Sequence, residues 1–171
     1  MSARPVSSAD IEAIADIYNH YVENSVVSFE EATVSVVEIG ERVAKVSANG
    51  LPWFVAEDAQ SNILGFAYAS PWKTRSAYRF TVELTVYLAS EAISQGWGTK
   101  LYSAVVRDLK ETPVKTVVAG ITLPNPASVA IHEKFGLKKV AHFEKVGFKF
   151  GRWLDVGYWQ ADMDDIVTQW R

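Results

Sequence analysis

Residues 81–110 combine a strand, a glycine turn and a helix. The apolar segment TVELTVYL (residues 81–88) has the pattern of a buried strand. After a short connection, ISQGWGTKLYSAVVRDLK (residues 93–110) begins with Gly96 and Gly98 and continues with apolar residues at helical spacing. Glycines allow a tight turn and a close backbone approach, and the start of a helix offers unpaired N–H groups. Proteins use this arrangement to bind phosphate, although a tight turn without a ligand gives the same pattern.

Two familiar phosphate motifs are excluded at this turn. A dinucleotide-binding fingerprint requires a third glycine at position 101, which is Leu101. A P-loop requires Gly-Lys-Ser/Thr, whereas this chain has Gly98, Thr99 and Lys100 in that order. The turn alone therefore does not identify a phosphate ligand, and other segments of the sequence are needed to do so.

The other segments predict a mixed α/β domain. Helices are expected after an N-cap at Ser7 or Ser8, after the capping box that begins at Ser35, and after an N-cap at Asn125. Strands are expected near the N-terminus and in PWFVAE, ILGFAYAS, YRFTVELTVYL, KTVVAGIT and two C-terminal segments. The resulting order is β-α-α-β-β-β-α-β-α-β-β, in which three consecutive strands indicate an antiparallel meander. We predict a mostly antiparallel sheet flanked by helices, in a single domain that spans residues 1–171.

Charge and cysteine content narrow the function. The net charge of −3 and the lack of a long basic run argue against nucleic-acid binding. The chain has no cysteine, which excludes disulfides, thiolate metal sites and a cysteine nucleophile. Three scattered histidines do not indicate a metal site. The first ten residues lack the apolar core of a signal peptide, and no apolar run approaches membrane-spanning length. We expect a cytoplasmic protein that binds neither nucleic acid nor membrane and carries no metal.

Several motifs, in matching order and spacing, resemble the GNAT N-acetyltransferase superfamily. They are YASPWKTRSAYRF (68–80), TVELTVYLASEAISQGWGTKLY (81–102) and ITLPNPASVAIHEKFGL (121–137). The similarity extends from IYNHYVENSVVSFEE (17–31) to GFKFGRWLDVGYWQ (147–160). Within the superfamily, the chain most resembles the phosphinothricin acetyltransferase branch, whose members also acetylate methionine sulfone and sulfoximine. The resemblance implies the GNAT acyl-CoA N-acyltransferase fold with splayed central strands. It also implies direct transfer from acetyl-CoA to the α-amino group of a small amino-acid analogue.

The resemblance also implies how acetyl-CoA binds. Backbone groups of Val86, Tyr87 and Leu88 would face its acetyl and pantetheine portion. The amides of the turn would receive the diphosphate, and the start of the helix after residue 124 would add further contacts. These residues are Ser94, Gln95, Gly96, Trp97, Gly98, Thr99, Asn125 and Ser128.

The turn departs from the family pattern at its beginning. The position three residues before the first glycine, usually Gln or Arg in the family, is Ile93, and the next position, often Arg, is Ser94. Backbone donors do not depend on these side chains, but the positive charge is lost. We expect CoA binding to be weaker or differently arranged.

Two residues are candidates for proton transfer. Glu83 lies in an apolar strand, where burial would raise its pKa and let it accept a proton directly or through water, and the branch carries Glu at the matching position. His132 lies where many superfamily members have tyrosine and this branch has histidine, and an imidazole can supply or accept a proton. A solvent-facing glutamate and a packing histidine are the alternatives. The residues do not decide which of the two is the base.

The substrate site is expected at the segment PWKTRSAYRF (71–80). An arginine binds an α-carboxylate better than a lysine does, and the spacing resembles the branch most closely at Arg75. Phe29, Tyr78 and Trp153 would form a wall beside the substrate side chain, with packing in the core as the alternative. The substrate-binding residues are thus predicted to be Phe29, Lys73, Thr74, Arg75 and Tyr78.

Other interpretations remain open at this point. The amine could be a different small molecule, or the chain could be a CoA-binding module without turnover. Glu83 and His132 argue against such a module, whereas Ile93 argues slightly for it. Members of this branch commonly form homodimers, and an aromatic-rich hairpin between Phe143 and Trp159 is predicted to contribute to that interface.

Overall fold

The computed structural model describes residues 2–167, which form seven strands and four α-helices. The strands are β1 (Ser2–Pro5), β2 (Trp53–Glu57), β3 (Ile63–Pro71), β4 (Thr81–Leu88), β5 (Thr116–Leu123), β6 (Lys138–Lys149) and β7 (Arg152–Asp162). The helices are α1 (Ile11–Asn24), α2 (Val36–Ala48), α3 (Trp97–Leu109) and α4 (Pro126–Lys134). The element order and the mixed α/β fold predicted from the sequence are both confirmed.

One twisted sheet organises the molecule, with strand order β1-β2-β3-β4-β5-β7-β6. Every neighbouring pair is antiparallel except β4 and β5, which are parallel. The meander of β2, β3 and β4 is the one that the three consecutive apolar segments predicted. No helix within residues 2–167 has the length and apolar character needed to cross a membrane.

Local side-chain hydrogen bonds fix where the helices begin. The Ser35 hydroxyl accepts a hydrogen bond from the Glu38 N–H at 3.1 Å, and the Asn125 side chain accepts one from the Ser128 N–H at 3.0 Å, as N-caps do. Near the N-terminus a single 3-10 turn, Ser8–Asp10, precedes α1. The regular α-helix therefore starts at Ile11, slightly later than the serine signal suggested.

The two faces of the sheet carry two apolar clusters. One lies under α3 and includes Leu101, Tyr102 and Val105. The other lies under α1 and α2 and joins Ile14 and other helix residues to aromatic and aliphatic side chains of β2 and β3. Burial on both faces explains why the central strands are apolar almost throughout.

The sheet opens between β4 and β5. These strands are paired only from Thr81, opposite Thr116, to Glu83, opposite Val118. Beyond this point β4 stays paired with β3 as far as Leu88, while β5 stays paired with β7 as far as Leu123. The two central strands consequently separate towards their C-terminal ends, which is the splayed arrangement implied by the resemblance.

Candidate active site

A cavity of about 990 Å³ occupies the gap between β4 and β5. Its walls come from α1, the connection after α1, β4, the start of α3, β5, α4 and β7. Many of the residues singled out from the sequence line it: Phe29, Glu83, Val86, Tyr87, Leu88, Ser94, Gly96, Gly98, Thr99, Asn125, Ser128 and His132. The fold thus brings together residues that are about 100 positions apart in sequence.

Glu83 lies at the point where the strands part. It is the last β4 residue paired with β5, and its Oε1 accepts a hydrogen bond from the Gly120 N–H at 3.2 Å. Burial raises the pKa of the Glu83 carboxyl group, while the Gly120 N–H and the positive charge of Lys73 act in the opposite direction. A carboxyl group in this environment holds a proton more readily than an exposed one does.

Gly120 is a site residue that the sequence interpretation missed. A Cβ atom at this position would lie 3.0 Å from Glu83 Oε1 and 3.2 Å from Tyr158 Cε1. A larger residue would push the Glu83 carboxylate or the Tyr158 ring aside by a few tenths of an ångström. The signal was present, because a glycine inside the strand segment KTVVAGIT indicates a close approach by another group.

His132 is buried on α4, beside Tyr102. Its Nδ1 lies 2.6 Å from the Ser128 carbonyl oxygen, which can only accept, so Nδ1 carries the hydrogen and donates it. Burial lowers the pKa of His132, which favours the neutral ring, although the bond to Ser128 opposes this shift. Nε2 therefore carries the lone pair, and it has no hydrogen-bond partner within residues 2–167. A buried acceptor of this kind requires a ligand or water.

The backbone of β4 alternates between β3 and the gap. The Ala89 N–H donates to the Leu64 carbonyl, and the register pairs Tyr87 with Phe66. Because polar groups alternate in an antiparallel ladder, those of Tyr87 point to β3, whereas those of Val86 and Leu88 point to the gap. The Tyr87 backbone is thus bonded to β3, and its predicted contact with acetyl-CoA stays a prediction. The Tyr21 hydroxyl of α1 donates to the Leu88 carbonyl at 2.7 Å.

The glycine turn has the conformation of a small anion cradle. Ser94 and Gly96 have φ angles of 64° and 83°, in the left-handed region, and Gly96 is the N-cap of α3 without a capping side chain. Gly98 is helical instead, and a Cβ there would lie 3.0 Å from Ile131 Cδ1. The first-turn N–H groups of α3 thus start at the cavity without a side-chain cap.

Two residues of this turn contribute no side chain to the cavity. The Gln95 side chain donates to the Glu91 carbonyl, and the Trp97 ring is buried in the cluster beneath α3. Their predicted role is thereby limited to their backbone N–H groups.

The predicted substrate segment lies outside the cavity wall. Lys73, Thr74, Arg75 and Tyr78 do not line the cavity, and neither does Trp153. The Lys73 ammonium group lies 5.0 Å from the centre of the Trp72 ring, and Tyr78 packs against the same ring. Only Phe29 of the predicted substrate residues is on the wall. The carboxylate-binding role of Arg75 stays a prediction.

A polar cluster at the α1 side of the cavity was also missed. The Tyr18 hydroxyl donates to Glu30 Oε1 at 3.0 Å and lies 3.0 Å from the Ser28 hydroxyl, and Arg42 forms an ion pair with Glu30 at 2.7 Å. The Tyr18 ring also packs against the apolar cluster under α1 and α2. The segment around Phe29 is held to the helices by these bonds.

No group of three or more metal-ligating side chains is placed to hold a metal ion within the described part of the chain.

Comparisons with known proteins agree with this geometry. Residues 4–157 match the model of the acetyltransferase (GNAT) domain. The chain is 39% identical to a phosphinothricin N-acetyltransferase of Streptomyces viridochromogenes, over 94% of this chain and 87% of that protein. It is 33% identical to an L-methionine sulfoximine/L-methionine sulfone acetyltransferase of Salmonella typhimurium, over 96% of each chain. The crystal structure of a GNAT superfamily phosphinothricin acetyltransferase from Sinorhizobium meliloti in complex with AcCoA superposes with a TM-score of 0.91 at 35% identity, covering 94% of this chain and 87% of that chain.

Proposed function

We propose, since this chain belongs to the GNAT acetyltransferase family, that it transfers the acetyl group of acetyl-CoA to the α-amino group of a small amino-acid analogue. Phosphinothricin, methionine sulfone and methionine sulfoximine are the substrate types that we favour, because relatives with these activities match almost the whole chain. The observation that carries the proposal is the single cavity in which Glu83, the gap side of β4 and the start of α3 meet.

The residues fit acetyl-CoA as a bound substrate. Backbone groups of Val86 and Leu88 face the gap and are suited to the amides of pantetheine. The first turn of α3 offers N–H groups and a positive dipole end to the diphosphate. At Gly98 the lack of a side chain lets this turn pack closely against α4, since a Cβ there would lie 3.0 Å from Ile131 Cδ1. Asn125 and Ser128 lie on the opposite wall, at the start of α4.

Acetyl transfer in this site needs a proton acceptor beside the amine. The amine nitrogen attacks the thioester carbonyl carbon, a C–N bond forms, and the C–S bond then breaks to release the thiolate. We assign Glu83 to accept the proton that the nitrogen loses, directly or through one water. Its raised pKa brings the carboxylate closer to the basicity that such a transfer requires.

His132 is assigned to the departing sulfur. In its resting tautomer Nε2 is an acceptor, so it delivers a proton only after receiving one during the reaction. The proton that Glu83 takes from the nitrogen would pass through water to Nε2 and from Nε2 to the thiolate, so that the amide and the free thiol form with no net change in protons. This assignment keeps Glu83 as the base and gives His132 a relay role.

Recognition of the amino-acid portion is assigned to Phe29 and the segment that contains Lys73, Thr74, Arg75 and Tyr78. Phe29 lies on the cavity wall, and the charge of Lys73 acts on the pKa of Glu83, which supports a position of this segment at the mouth beside the carboxylate. Arg75 would pair with the substrate α-carboxylate.

We further propose that the chain acts as one domain, in the cytoplasm, as a homodimer. A row of exposed apolar side chains on the hairpin of β6 and β7 supports the dimer. These residues, here called the hairpin patch, are Val140, Phe143, Val146, Phe148, Phe150 and Trp153. Strand β6 is an edge of the sheet, and edges of this kind are commonly covered.

Release of free thiol from acetyl-CoA tests the proposed reaction. The protein is mixed with acetyl-CoA and a panel containing phosphinothricin, methionine sulfone, methionine sulfoximine, common amino acids and polyamines. We expect thiol release and N-acetylated product with at least one of the first three, and none with an analogue that lacks the α-amino group. Preferred turnover of a polyamine would contradict the substrate class, and the absence of release with every amine would contradict the reaction.

A further inference from the structure

We propose that Lys134 supplies the positive charge that binds the diphosphate of acetyl-CoA, in place of the side chains that this chain lacks at positions 93 and 94. The inference rests on the proposed function, because it takes acetyl-CoA as the donor. It deepens that function by naming the cation of the phosphate end.

The glycine turn itself carries no positive side chain. Ile93 is exposed and apolar, and Ser94 is neutral, yet both lie on the cavity wall. A diphosphate bound by backbone N–H groups alone would keep most of its negative charge uncompensated. Phosphate sites in proteins usually combine such N–H groups with a lysine or an arginine.

Lys134 reaches this place from another element. It is the last residue of α4, and its Nζ donates a hydrogen bond to Thr99 Oγ1 at 3.2 Å, in the first turn of α3. Among the described residues that line the cavity, Lys134 is the only lysine or arginine. An ammonium group and the uncapped N–H groups of α3 therefore face the same space.

The charges of the cavity are arranged by sign. Glu83 lies where β4 and β5 part, and Lys134 donates a hydrogen bond to Thr99 at the start of α3. Glu83 and Leu88 are five residues apart on β4, or about 17 Å at the usual rise of a strand. This arrangement of charges fits an extended ligand whose phosphate lies beside Lys134 and whose other end, which reacts with the amine, lies beside Glu83.

Lys100 is the nearest competitor for the role, and its geometry argues against it. It lies one residue after Thr99, but its Nζ is 4.2 Å from the centre of the Trp97 ring. Neither Lys100 nor Trp97 lines the cavity. Lys100 therefore offers a matched control, because its ammonium group lies near the same end of α3 but over the Trp97 ring and not at the cavity wall.

Titration calorimetry with CoA and dephospho-CoA tests the assignment on the full chain. Both ligands contain the diphosphate, and only CoA has the 3′-phosphate. We expect Lys134→Gln to weaken binding of both ligands by roughly tenfold, the usual scale for one charge-assisted hydrogen bond, and Lys100→Gln to leave both unchanged. The affinity of Lys134→Gln should also depend less on ionic strength than that of the wild type.

Two further measurements sharpen the result. The KM for acetyl-pantetheine, which lacks phosphate, should be the same in Lys134→Gln and wild type. Adding Ser94→Arg to Lys134→Gln should restore CoA affinity, because an arginine then provides the charge from the turn itself. Ser94 already has a left-handed φ, so the new side chain makes no new demand on the backbone.

The outcomes separate this inference from the proposed function. Equal CoA affinity in Lys134→Gln and wild type would overturn the role of Lys134 alone. An effect on CoA but not on dephospho-CoA would overturn the diphosphate assignment, since it would place Lys134 at the 3′-phosphate. A wild-type protein that binds neither ligand would overturn both proposals.

Discussion

At the scale of single residues, the position of Glu83 explains how one carboxyl group is both buried and reachable. The strands β4 and β5 are still paired at Glu83, which removes part of its side chain from water. They separate immediately afterwards, so the cavity begins at the same residue. The raised pKa of Glu83 follows from the first fact and its access to a substrate follows from the second.

Glu83→Gln should separate proton transfer from binding. The amide keeps the size of the side chain and can still accept from the Gly120 N–H, but it no longer takes up a proton. Loss of a general base typically costs about 10²–10⁴-fold in rate, so kcat should fall on that order while the KM for acetyl-CoA changes little. Higher pH should partly rescue the variant, because more of the amine is then neutral. Near-full turnover at pH 7 would make Glu83 structural.

Glu83→Gln should also change how the stability of the protein depends on pH. A folded-state pKa above the unfolded value means that the folded chain binds the Glu83 proton more tightly. The resulting stability is present below the unfolded pKa and is lost as pH rises through the folded pKa. Compared with wild type, Glu83→Gln should therefore gain in Tm between acidic and neutral pH. Parallel Tm profiles of the two proteins across this range would argue against a raised pKa.

The sequence identified some site residues and missed others for a physical reason. Glu83 and His132 were recognisable because a charged or titratable residue stood in a motif of known spacing. Gly120, and the Lys134 of our proposal, were not recognisable, because their contacts involve residues that are distant in the chain. Gly120 matters through Glu83 and Tyr158, and Lys134 through Thr99 on another helix.

At the scale of elements, local sequence signals predicted which helices and strands form. They predicted less well which way the backbone groups of those elements point. The caps at Ser35 and Asn125 act within four residues, so the sequence contains all the information needed to locate them. The direction of the Tyr87 backbone depends instead on the register between β3 and β4. Just before α1, Asp10 ends the 3-10 turn and forms an ion pair with Arg4 of β1 at 2.8 Å, a contact that the local sequence does not specify.

Gly98→Val tests the contact between α3 and α4 at the phosphate end. A Cβ at this position would meet Ile131 Cδ1 at 3.0 Å, and the valine methyl groups would extend further into the space beside Leu88. Because Ile131 Cδ1 is the end of a flexible side chain, folding should survive, while the KM for acetyl-CoA should rise by at least about tenfold, or roughly 1.4 kcal/mol.

Gly98→Ala is the control for this prediction. It adds only the Cβ, and alanine gains up to about 1 kcal/mol of helix propensity over glycine, which offsets the tight contact. Its Tm should stay near that of wild type and its KM should rise less than that of the valine variant. An unchanged KM in folded Gly98→Val would mean that the diphosphate binds elsewhere.

At the scale of the whole molecule, the hairpin of β6 and β7 is the feature that the cavity does not explain. Trp153 is 63% exposed and Phe148 54%, and the two are paired in register with their ring centres 5.1 Å apart. Neither lines the cavity. Their exposure is costly in water, because each buried aromatic side chain contributes about 1.5–3 kcal/mol. A second copy of the chain can bury both side chains, because a twofold axis would place the hairpin patch of one copy against the hairpin patch of the other.

If the proposed dimer forms through the hairpin patch, Trp153→Glu should convert it to a monomer. A carboxylate on each copy would be buried against the apolar patch of the other, and an unpaired buried charge is strongly unfavourable. Light scattering at micromolar concentration should give twice the 19.0 kDa chain mass for wild type and the single mass for the variant. Val37→Glu is the matched control, since Val37 is 73% exposed on α2, outside the hairpin patch, and its change should leave the mass of the particle unaltered. A wild-type particle of single mass would refute the dimer. If Trp153→Glu remained a dimer of wild-type mass, the interface would lie on another surface, and the hairpin patch would need a different partner.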